Sequence, residues 1–159
     1  MDNNKIAVIT GAARGNGRAT AFSLGKSGYS LYLTDLNSQE LEEAITDMKN
    51  EGIDASGGVY DASIISDAKV LVEDVIKNFG RIDILVNNAG ASKPVKFPDV
   101  DEETWDWVLD LNLKGPYFIM QEAAKHMMKQ KAGVIINIAS ISASGGMTSS
   151  PSYAIAKAG

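Results

Sequence analysis

The sequence contains no cysteine and a single histidine among its 159 residues. Without cysteine, the chain can form neither a disulfide framework nor a thiolate metal site or nucleophile. The histidine, His126, lies in a helical pattern beside Met127 and Met128, where a solvated or half-buried position is far more common than catalysis. No histidine-based catalytic triad or zinc site can therefore be built from this sequence.

Long apolar segments and clusters of basic residues are also missing. No apolar run approaches the roughly 20 residues of a membrane-spanning helix, and residues 1–5 show no charged-then-apolar signal pattern. A formal net charge of −5 without a Lys/Arg cluster argues against nucleic acid or an anionic membrane as a partner. We therefore expect a cytoplasmic protein with no membrane and no nucleic-acid partner.

What is present is the pattern of one α/β domain spanning residues 1–159. Hydrophobic residues make up 45% and charged residues 22%, as in ordinary globular proteins. Short, branched apolar runs alternate with amphipathic helical patterns, which predicts a doubly wound parallel sheet of the Rossmann type in three αβα layers. The predicted strands are residues 5–9, 30–34, 58–60, 83–86 and 134–138.

A glycine-rich loop, T-G-A-A-R-G-N-G, follows the first predicted strand at residues 10–17. Its glycines are Gly11, Gly15 and Gly17, and a helix is predicted to follow. Glycines let the backbone approach a pyrophosphate, and the positive N-terminus of the next helix favours that anion. A glycine-rich turn without a ligand is the alternative, but the strand before and the helix after favour a nucleotide.

An acidic residue, Asp35, ends the second predicted strand 18 residues after Gly17. This position suits hydrogen bonds to an adenosine ribose, and the carboxylate would repel a 2′-phosphate, so NAD is favoured over NADP. Arg14 weakens this inference because it could meet a phosphate or simply face solvent, and the residue after Asp35 is the neutral Leu36. Asp61, after the third strand, could lie near an adenine or equally be a plain turn residue.

Asparagines follow the fourth predicted strand in N-N-A-G at residues 87–90. Their amides can satisfy neighbouring backbone in a turn, and this structural role is the favoured one. Gly90 can in addition leave room for a cofactor. Asn112, between Leu111 and Leu113, is predicted to need a buried partner.

The last motif combines Ser140, directly after the fifth predicted strand, with Tyr153 and Lys157. Four residues are about one helical turn, so on a helix the phenol and the ammonium stand on one face. A fixed cation favours the phenolate and makes the phenol a usable proton carrier, while the serine hydroxyl could hold a substrate oxygen. Tyrosine and lysine also occur at this spacing by chance on many amphipathic helices.

Taken together, the loop at 10–17, Asp35, N-N-A-G, Asn112, Ser140 and Y-A-I-A-K at 153–157 resemble the short-chain dehydrogenases/reductases. The resemblance covers residues 5–159. It implies that Tyr153 is the general acid or base, that Lys157 promotes its ionisation and holds the nicotinamide ribose, that Ser140 orients the substrate, and that Asn112 anchors a water. The cofactor contacts it implies are Gly11, Arg14, Gly15, Asn16, Gly17, Asp35, Leu36, Asp61, Ala62, Asn88, Ala89, Gly90, Tyr153 and Lys157.

The implied function is hydride transfer between NAD(H) and a small-molecule secondary alcohol or ketone, with reduction of a 3-oxoacyl thioester as a narrower possibility. Asn16 departs from the family, which usually has an aliphatic residue there. Family members also continue beyond this point, so we expect a C-terminally truncated chain whose fifth strand is an exposed edge. The alternative function is a truncated, non-catalytic nucleotide-binding or assembly module.

A homo-oligomer, either a tetramer or a dimer, is implied as well, formed through the predicted helix 112–129 and the helix that carries Tyr153. This interface predicts a second apolar face on helix 112–129. The candidates for that face are Tyr117, Met120 and Met127.

Overall fold

A computed structural model describes residues 5–145 and 147–159 as a five-stranded parallel sheet covered by helices on both faces. The strands are β1 (Ile6–Thr10), β2 (Ser30–Asp35), β3 (Ala55–Val59), β4 (Ile84–Asn87) and β5 (Val134–Asn137). The helices are α1 (Gly15–Lys26), α2 (Ser38–Asn50), α3 (Ile65–Phe79), α4 (Glu102–Leu109), α5 (Gly115–Gln130), α6 (Ser142–Gly145) and α7 (Pro151–Ala158). A 3₁₀ turn lies at Phe97–Asp99 and a π-helical segment at Asp110–Lys114.

The strand order is β3-β2-β1-β4-β5, and every strand pair is parallel. From β1 the chain first builds outward to β3 and then returns to place β4 on the other side of β1. In such a sheet the crevice at the carboxyl ends of the two central strands is where ligands bind. The predicted doubly wound αβα fold is confirmed.

Two apolar clusters lie on opposite faces of the sheet. On one face Val8 and Leu85 pack against α3 and α5, and on the other Ile9 and Leu31 pack against α1 and α2. All five residues of β1 are buried. Burying one such aliphatic side chain contributes about 1.5–3 kcal/mol, so the central strand is held firmly between the helical layers.

Strand β5 is an edge of the described sheet, with β4 as its neighbour. Its residues Val134 and Ile136 are 54% and 41% exposed. This exposed edge agrees with the expectation from the sequence. No helix in the described part of the chain is both long and apolar enough to cross a membrane.

The predicted helix 112–129 does not begin near Asn112. Helices α4 and α5 are joined through the π-helical segment into one helical run from residue 102 to 130. Pro116 has no amide hydrogen to donate to the turn before it, and the wider π turn lies directly before this proline. The predicted start of this helix is thus a widened turn inside a longer helix.

Several element boundaries also differ from the prediction. Helix α5 ends at Gln130, one residue beyond the predicted end, with Lys131 in the left-handed conformation (φ 55°). Strand β3 begins at Ala55, earlier than the predicted residue 58.

Two of the three candidates for the outward apolar face of α5 pack toward the core, since Met120 is partly buried against the apolar cluster beside α3. Met127 is 7% exposed and belongs to the core beside α3. Tyr117 is 54% exposed, and Met128, not among the candidates, is 78% exposed. The outward face of α5 is therefore formed by different residues than helical spacing alone suggested.

Candidate active site

A cavity of about 660 Å³ lies at the carboxyl ends of the strands. It brings together residues that follow β1, β2, β3, β4 and β5 and that lie far apart in the sequence. The sequence-predicted residues that line it are Gly11, Arg14, Asn16, Asp35, Leu36, Ala62, Asn88, Ala89, Gly90, Ser140, Tyr153 and Lys157. Twelve of the sixteen predicted site residues thus share one cavity, and the four that do not are Gly15, Gly17, Asp61 and Asn112.

The glycine loop is packed closely against the loop after β4. Gly11 has φ +62°, and a Cβ at this position would come within 2.8 Å of the Ala89 Cα. A Cβ on Gly17 would collide with the carbonyl oxygen of Gly11, so this glycine serves the packing of α1 under the loop rather than the cavity wall. Asn88 Nδ2 donates to the carbonyl oxygens of Thr10 and Gly11 at 3.0 and 2.9 Å, which confirms the predicted structural role.

The N-terminus of α1 has free capacity for an anion. Its cap residue, Arg14, makes no side-chain capping hydrogen bond, and the first turn contains no acidic residue. The space beside Gly15 is open, since a Cβ at this position would meet no atom within 4 Å. Helix N-termini leave amide donors unsatisfied and carry a partial positive charge, so a phosphate fits here chemically.

The carboxylate of Asp35 holds this loop in place. Its Oδ2 accepts a 3.1 Å hydrogen bond from the amide of Ala13, and its Oδ1 accepts one of 3.2 Å from the amide of Asn37. Asn37 Oδ1 in turn accepts from the Glu40 amide at 3.1 Å and so caps the N-terminus of α2. The Glu40 side chain forms a weak ion pair with Arg14 Nε at 3.8 Å.

Asp61 acts as a turn residue in this structure. Its Oδ1 accepts hydrogen bonds from the amide and hydroxyl of Ser63 at 2.8 and 2.6 Å, and its own amide donates to Asp67 Oδ2 at 2.9 Å. It does not line the main cavity, whereas its neighbour Ala62 does. Of the two roles open from the sequence, the turn role is the one the contacts support.

Ser140, Tyr153 and Lys157 meet at the β5 end of the cavity. Tyr153 and Lys157 share one face of α7, and the Lys157 Nζ donates a 2.8 Å hydrogen bond to the carbonyl oxygen of Ile138. Ser140 Oγ accepts from the Ser142 amide at 3.2 Å, which fixes the serine at the start of α6. Burial lowers the pKa of Lys157 from its usual 10.5.

Asn112 lies behind this group, at the π turn, and is 7% exposed. Its Nδ2 donates to the carbonyl oxygens of Ala91 and Val108 at 2.8 and 2.9 Å, so the predicted buried partners exist. Its Oδ1 is buried without a hydrogen-bond partner among the described residues. A Cβ on Gly90 would lie 2.6 Å from this oxygen and 3.2 Å from Lys157 Nζ. The lack of a side chain at Gly90 therefore leaves space for the side chains of Asn112 and Lys157.

Other lining residues were not singled out from the sequence. They are Thr34, Asn37, Tyr60, Ala91, Trp107, Leu111, Ile138 and Ala139. Most adjoin a motif residue in the chain and could have been found from that adjacency. Trp107 is different, because only the packing of α4 over the cavity brings it there.

Residues 5–159 match the family model described as short chain dehydrogenase. The chain belongs to this family. Among curated short-chain dehydrogenases, the 3-oxoacyl-[acyl-carrier-protein] reductase of Staphylococcus aureus is 34% identical over 160 residues, covering 100% of this chain and 65% of the relative. The (2S)-[(R)-hydroxy(phenyl)methyl]succinyl-CoA dehydrogenase subunit BbsD of Thauera aromatica is 35% identical over 156 residues, covering 98% and 62%.

Solved short-chain dehydrogenases have the same fold. A metagenomic short-chain oxidoreductase in complex with NADP superposes with a TM-score of 0.93 at 31% identity, covering 96% of this chain and 70% of that one. A variant of actinorhodin polyketide ketoreductase with NADPH gives 0.96 at 28% identity, covering 100% and 62%. The chain therefore spans about two thirds or less of the length of most of these relatives.

Proposed function

We propose that this chain forms the cofactor site and the proton-transfer site of an oxidoreductase that moves hydride between NAD(H) and a secondary alcohol or ketone. The observation that carries the proposal is that Tyr153, Lys157 and Ser140 line the same cavity as the glycine loop and Asp35. A phenol beside a cation, a hydroxyl and an anion-binding helix end are the groups that such a reaction needs. The S. aureus reductase and the T. aromatica dehydrogenase support this class of reaction.

The residues present fit a dinucleotide. The uncapped N-terminus of α1 supplies amide donors for a pyrophosphate, and Gly11 leaves the backbone accessible. Asp35 stands at the end of β2 for an adenosine ribose, and Lys157 is anchored at the end of β5, three strand positions across the sheet. A bound nicotinamide would supply the hydride chemistry, and the protein side chains would handle binding and protons.

The roles of the protein groups follow from their positions. Tyr153 gives a proton to the substrate oxygen during reduction and takes one during oxidation, and Ser140 donates a hydrogen bond to the same oxygen. Lys157 supplies a cation beside the phenol and a donor for a ribose hydroxyl. The unpartnered Oδ1 of Asn112 is an acceptor for a water that returns protons to Lys157.

NAD is proposed over NADP because the carboxylate of Asp35 lines the cavity where a 2′-phosphate would lie. Arg14 is the group that could offset this repulsion, since its side chain is 83% exposed and only weakly paired with Glu40. The two solved relatives described above hold NADP and NADPH, so this preference needs a direct measurement.

The substrate class proposed is a 3-oxoacyl thioester. The two curated relatives are named for reduction of a 3-oxoacyl carrier-protein thioester and for dehydrogenation of a hydroxylated succinyl-CoA. Both reactions act on a carbonyl or hydroxyl in an acyl thioester. Ser140 and Tyr153 line the cavity, and the reacting carbon would be placed beside them.

A homo-oligomer is proposed through the outward face of α5, where Tyr117 and Met128 are exposed. Large exposed apolar side chains on one helix are typical of an interface between subunits. Light scattering at several protein concentrations tests this. A strictly monomeric protein would contradict it.

The proposed function is tested by two measurements on the purified protein. Calorimetric titration with NADH and NADPH measures whether the protein binds a dinucleotide. Oxidation of NADH in the presence of acetoacetyl-coenzyme A measures whether the protein catalyses hydride transfer. Binding of neither cofactor would overturn the proposal. Binding without turnover on thioesters, ketones or secondary alcohols would favour a non-catalytic nucleotide-binding module.

A further inference from the structure

Trp107 is an exposed aromatic side chain on the wall of the main cavity. The chain has two tryptophans, Trp105 and Trp107, two residues apart on α4 and almost equally exposed at 40% and 42%. Of these two, Trp107 lines the cavity and Trp105 does not. The exposed surface of Trp107 therefore belongs at least in part to the cavity wall, whereas Trp105 is an exposed residue outside the cavity.

Trp107 lies on the face of the helical run that continues through Leu111 to Gly115, which contacts the loop after β3. Trp107, Leu111 and Gly115 recur every four residues and so form one stripe. At the end of this stripe, Gly115 approaches the loop after β3 so closely that a Cβ would collide with the carbonyl oxygen of Ala62. Ala62, Leu111 and Trp107 all line the cavity.

This side of the cavity is the end opposite the reacting groups. Strands β2 and β3 lie at one side of the sheet, and β5, which precedes Ser140, lies at the other. Asp35 and Leu36, at the end of β2, share the cavity with the Trp107 stripe. If Asp35 meets the adenosine ribose, as the proposed function states, the base attached to that ribose lies beside this stripe.

We propose that Trp107 forms the aromatic wall of the adenosine end of the cavity and packs its indole ring against the adenine of the bound dinucleotide. The inference rests on the proposed function and adds a binding residue outside the glycine loop and strand ends. An indole half exposed in a cavity offers a large flat surface to a purine at little further cost in side-chain freedom. Stacking on an aromatic side chain binds a base strongly, and every base has the flat face that stacking needs.

The test uses ADP-ribose, which contains the adenosine end of the cofactor, and nicotinamide mononucleotide, which contains the other end. Trp105→Phe leaves Trp107 as the sole tryptophan, and Trp107→Phe leaves Trp105. We expect ADP-ribose to change the emission of Trp105→Phe saturably, while the emission of Trp107→Phe stays constant. Nicotinamide mononucleotide should leave both unchanged.

Affinity gives a second, independent readout. Trp107→Ala should raise the Kd for ADP-ribose by roughly 5- to 100-fold, the range found for loss of one base-stacking contact. Trp105→Ala is the matched control and should change it less than about 2-fold. Trp107→Ala should also raise the KM for NADH, whereas Trp105→Ala should leave both the KM and the turnover number close to the wild-type values.

Three results would overturn the inference while leaving the proposed function intact. They are an ADP-ribose signal that persists in Trp107→Phe, a signal from nicotinamide mononucleotide instead of ADP-ribose, and an unchanged Kd in Trp107→Ala. If calorimetry shows that the wild type binds neither ADP-ribose nor NADH, the proposed function fails, and the inference fails with it.

Discussion

The ammonium nitrogen of Lys157 lies 5.8 Å from the centroid of the Tyr153 ring. The lysine reaches this position from one turn further along α7, and its hydrogen bond to the Ile138 carbonyl oxygen anchors it to the end of β5. A cation within about 6 Å of an aromatic ring interacts favourably with it. The helix and the sheet together therefore fix the cation beside the phenol that is proposed to carry the proton.

Tyr153→Phe should lower the turnover number by on the order of 10²- to 10⁴-fold, the usual contribution of a general acid or base. Cofactor affinity should change little, because the ring remains in the cavity wall. Steady-state kinetics with NADH and acetoacetyl-coenzyme A measures this, and Tyr117→Phe, on the exposed face of α5, is the control. Retained activity in Tyr153→Phe would remove this residue from the mechanism.

Asp35→Ala should weaken NAD binding more than NADP binding. The substitution removes the hydrogen bonds to Ala13 and Asn37, which affects both cofactors, but it also removes the repulsion of a 2′-phosphate. The ratio of the two dissociation constants, measured by calorimetry, cancels the shared loss. Asp54→Ala, an exposed residue before the first residue of β3, controls for net charge; an unchanged ratio in Asp35→Ala would contradict the proposed NAD preference.

Gly17→Ala should destabilise the protein and abolish dinucleotide binding. Alanine normally favours a helix over glycine by about 1 kcal/mol, but here its Cβ would collide with the Gly11 carbonyl oxygen and force the loop to move. Thermal denaturation and NADH titration measure the two effects. Gly145→Ala should be close to neutral, because a Cβ there would meet no atom within 4 Å among the described residues outside its chain neighbours. Equal behaviour of the two variants would disprove the packing argument.

Tyr60→Phe should lower the free energy of unfolding by about 1–3 kcal/mol, since it leaves a partly buried Asp74 without its donor. Tyr60 donates a 2.5 Å hydrogen bond to Asp74 Oδ2, and its hydroxyl lies 3.0 Å from that of Tyr32. Chemical denaturation at pH 7 measures the loss. Tyr29→Phe, in the apolar cluster on the other face of the sheet, is the control and should cost less.

The hydrogen bond between Tyr60 and Asp74 also predicts how the free energy of unfolding depends on pH. Burial, followed by the hydrogen bonds to Asp74 and Tyr32, raises the pKa of Tyr60 above its usual 10.0. The folded state therefore keeps the neutral phenol, and the stabilisation present below pH 10 is lost as the pH rises above that value. Wild type and the Tyr29→Phe control should lose stability above pH 10 more steeply than Tyr60→Phe, and equal slopes would exclude this role.

Asp83→Asn should cost about 2–3 kcal/mol at pH 7, the upper range for hydrogen bonds to a charged group. Asp83 is 9% exposed and accepts hydrogen bonds from Arg81 and from the amide of Ile6 at the start of β1. Burial raises the pKa of this carboxyl, but the Arg81 and Ile6 hydrogen bonds and nearby positive charges outweigh it and leave the pKa below 3.8.

The sign of the acid dependence follows from that lowered pKa. The stabilisation by Asp83 is complete above pH 3.8 and disappears as the pH falls further through the folded-state pKa. The difference in unfolding free energy between wild type and Asp83→Asn should therefore shrink below pH 3.8. Asp54→Asn, which removes an exposed carboxylate, is the control, and a constant difference for Asp83→Asn at all pH values would refute the account.

Local sequence patterns were sufficient for the parallel αβα fold, the glycine loop and the spacing of Tyr153 and Lys157. Continuous apolar runs identify strands buried on both faces, and glycines mark positions where a Cβ would collide, as at Gly17. These properties depend on residues close together in the chain. They can be inferred without knowing what packs against them.

The π turn at Asn112, the burial of Met127 and the placing of Trp107 were decided by tertiary structure alone. A helical pattern defines which residues share a face, but it does not define which face meets the sheet, because that depends on the packing of α4 and α5 against distant elements. Trp105 and Trp107 look alike in the sequence and in exposure. Which of them lines the cavity depends on how the helical run packs, through α4 against α7 and through Gly115 against Ala62, 53 residues earlier in the chain.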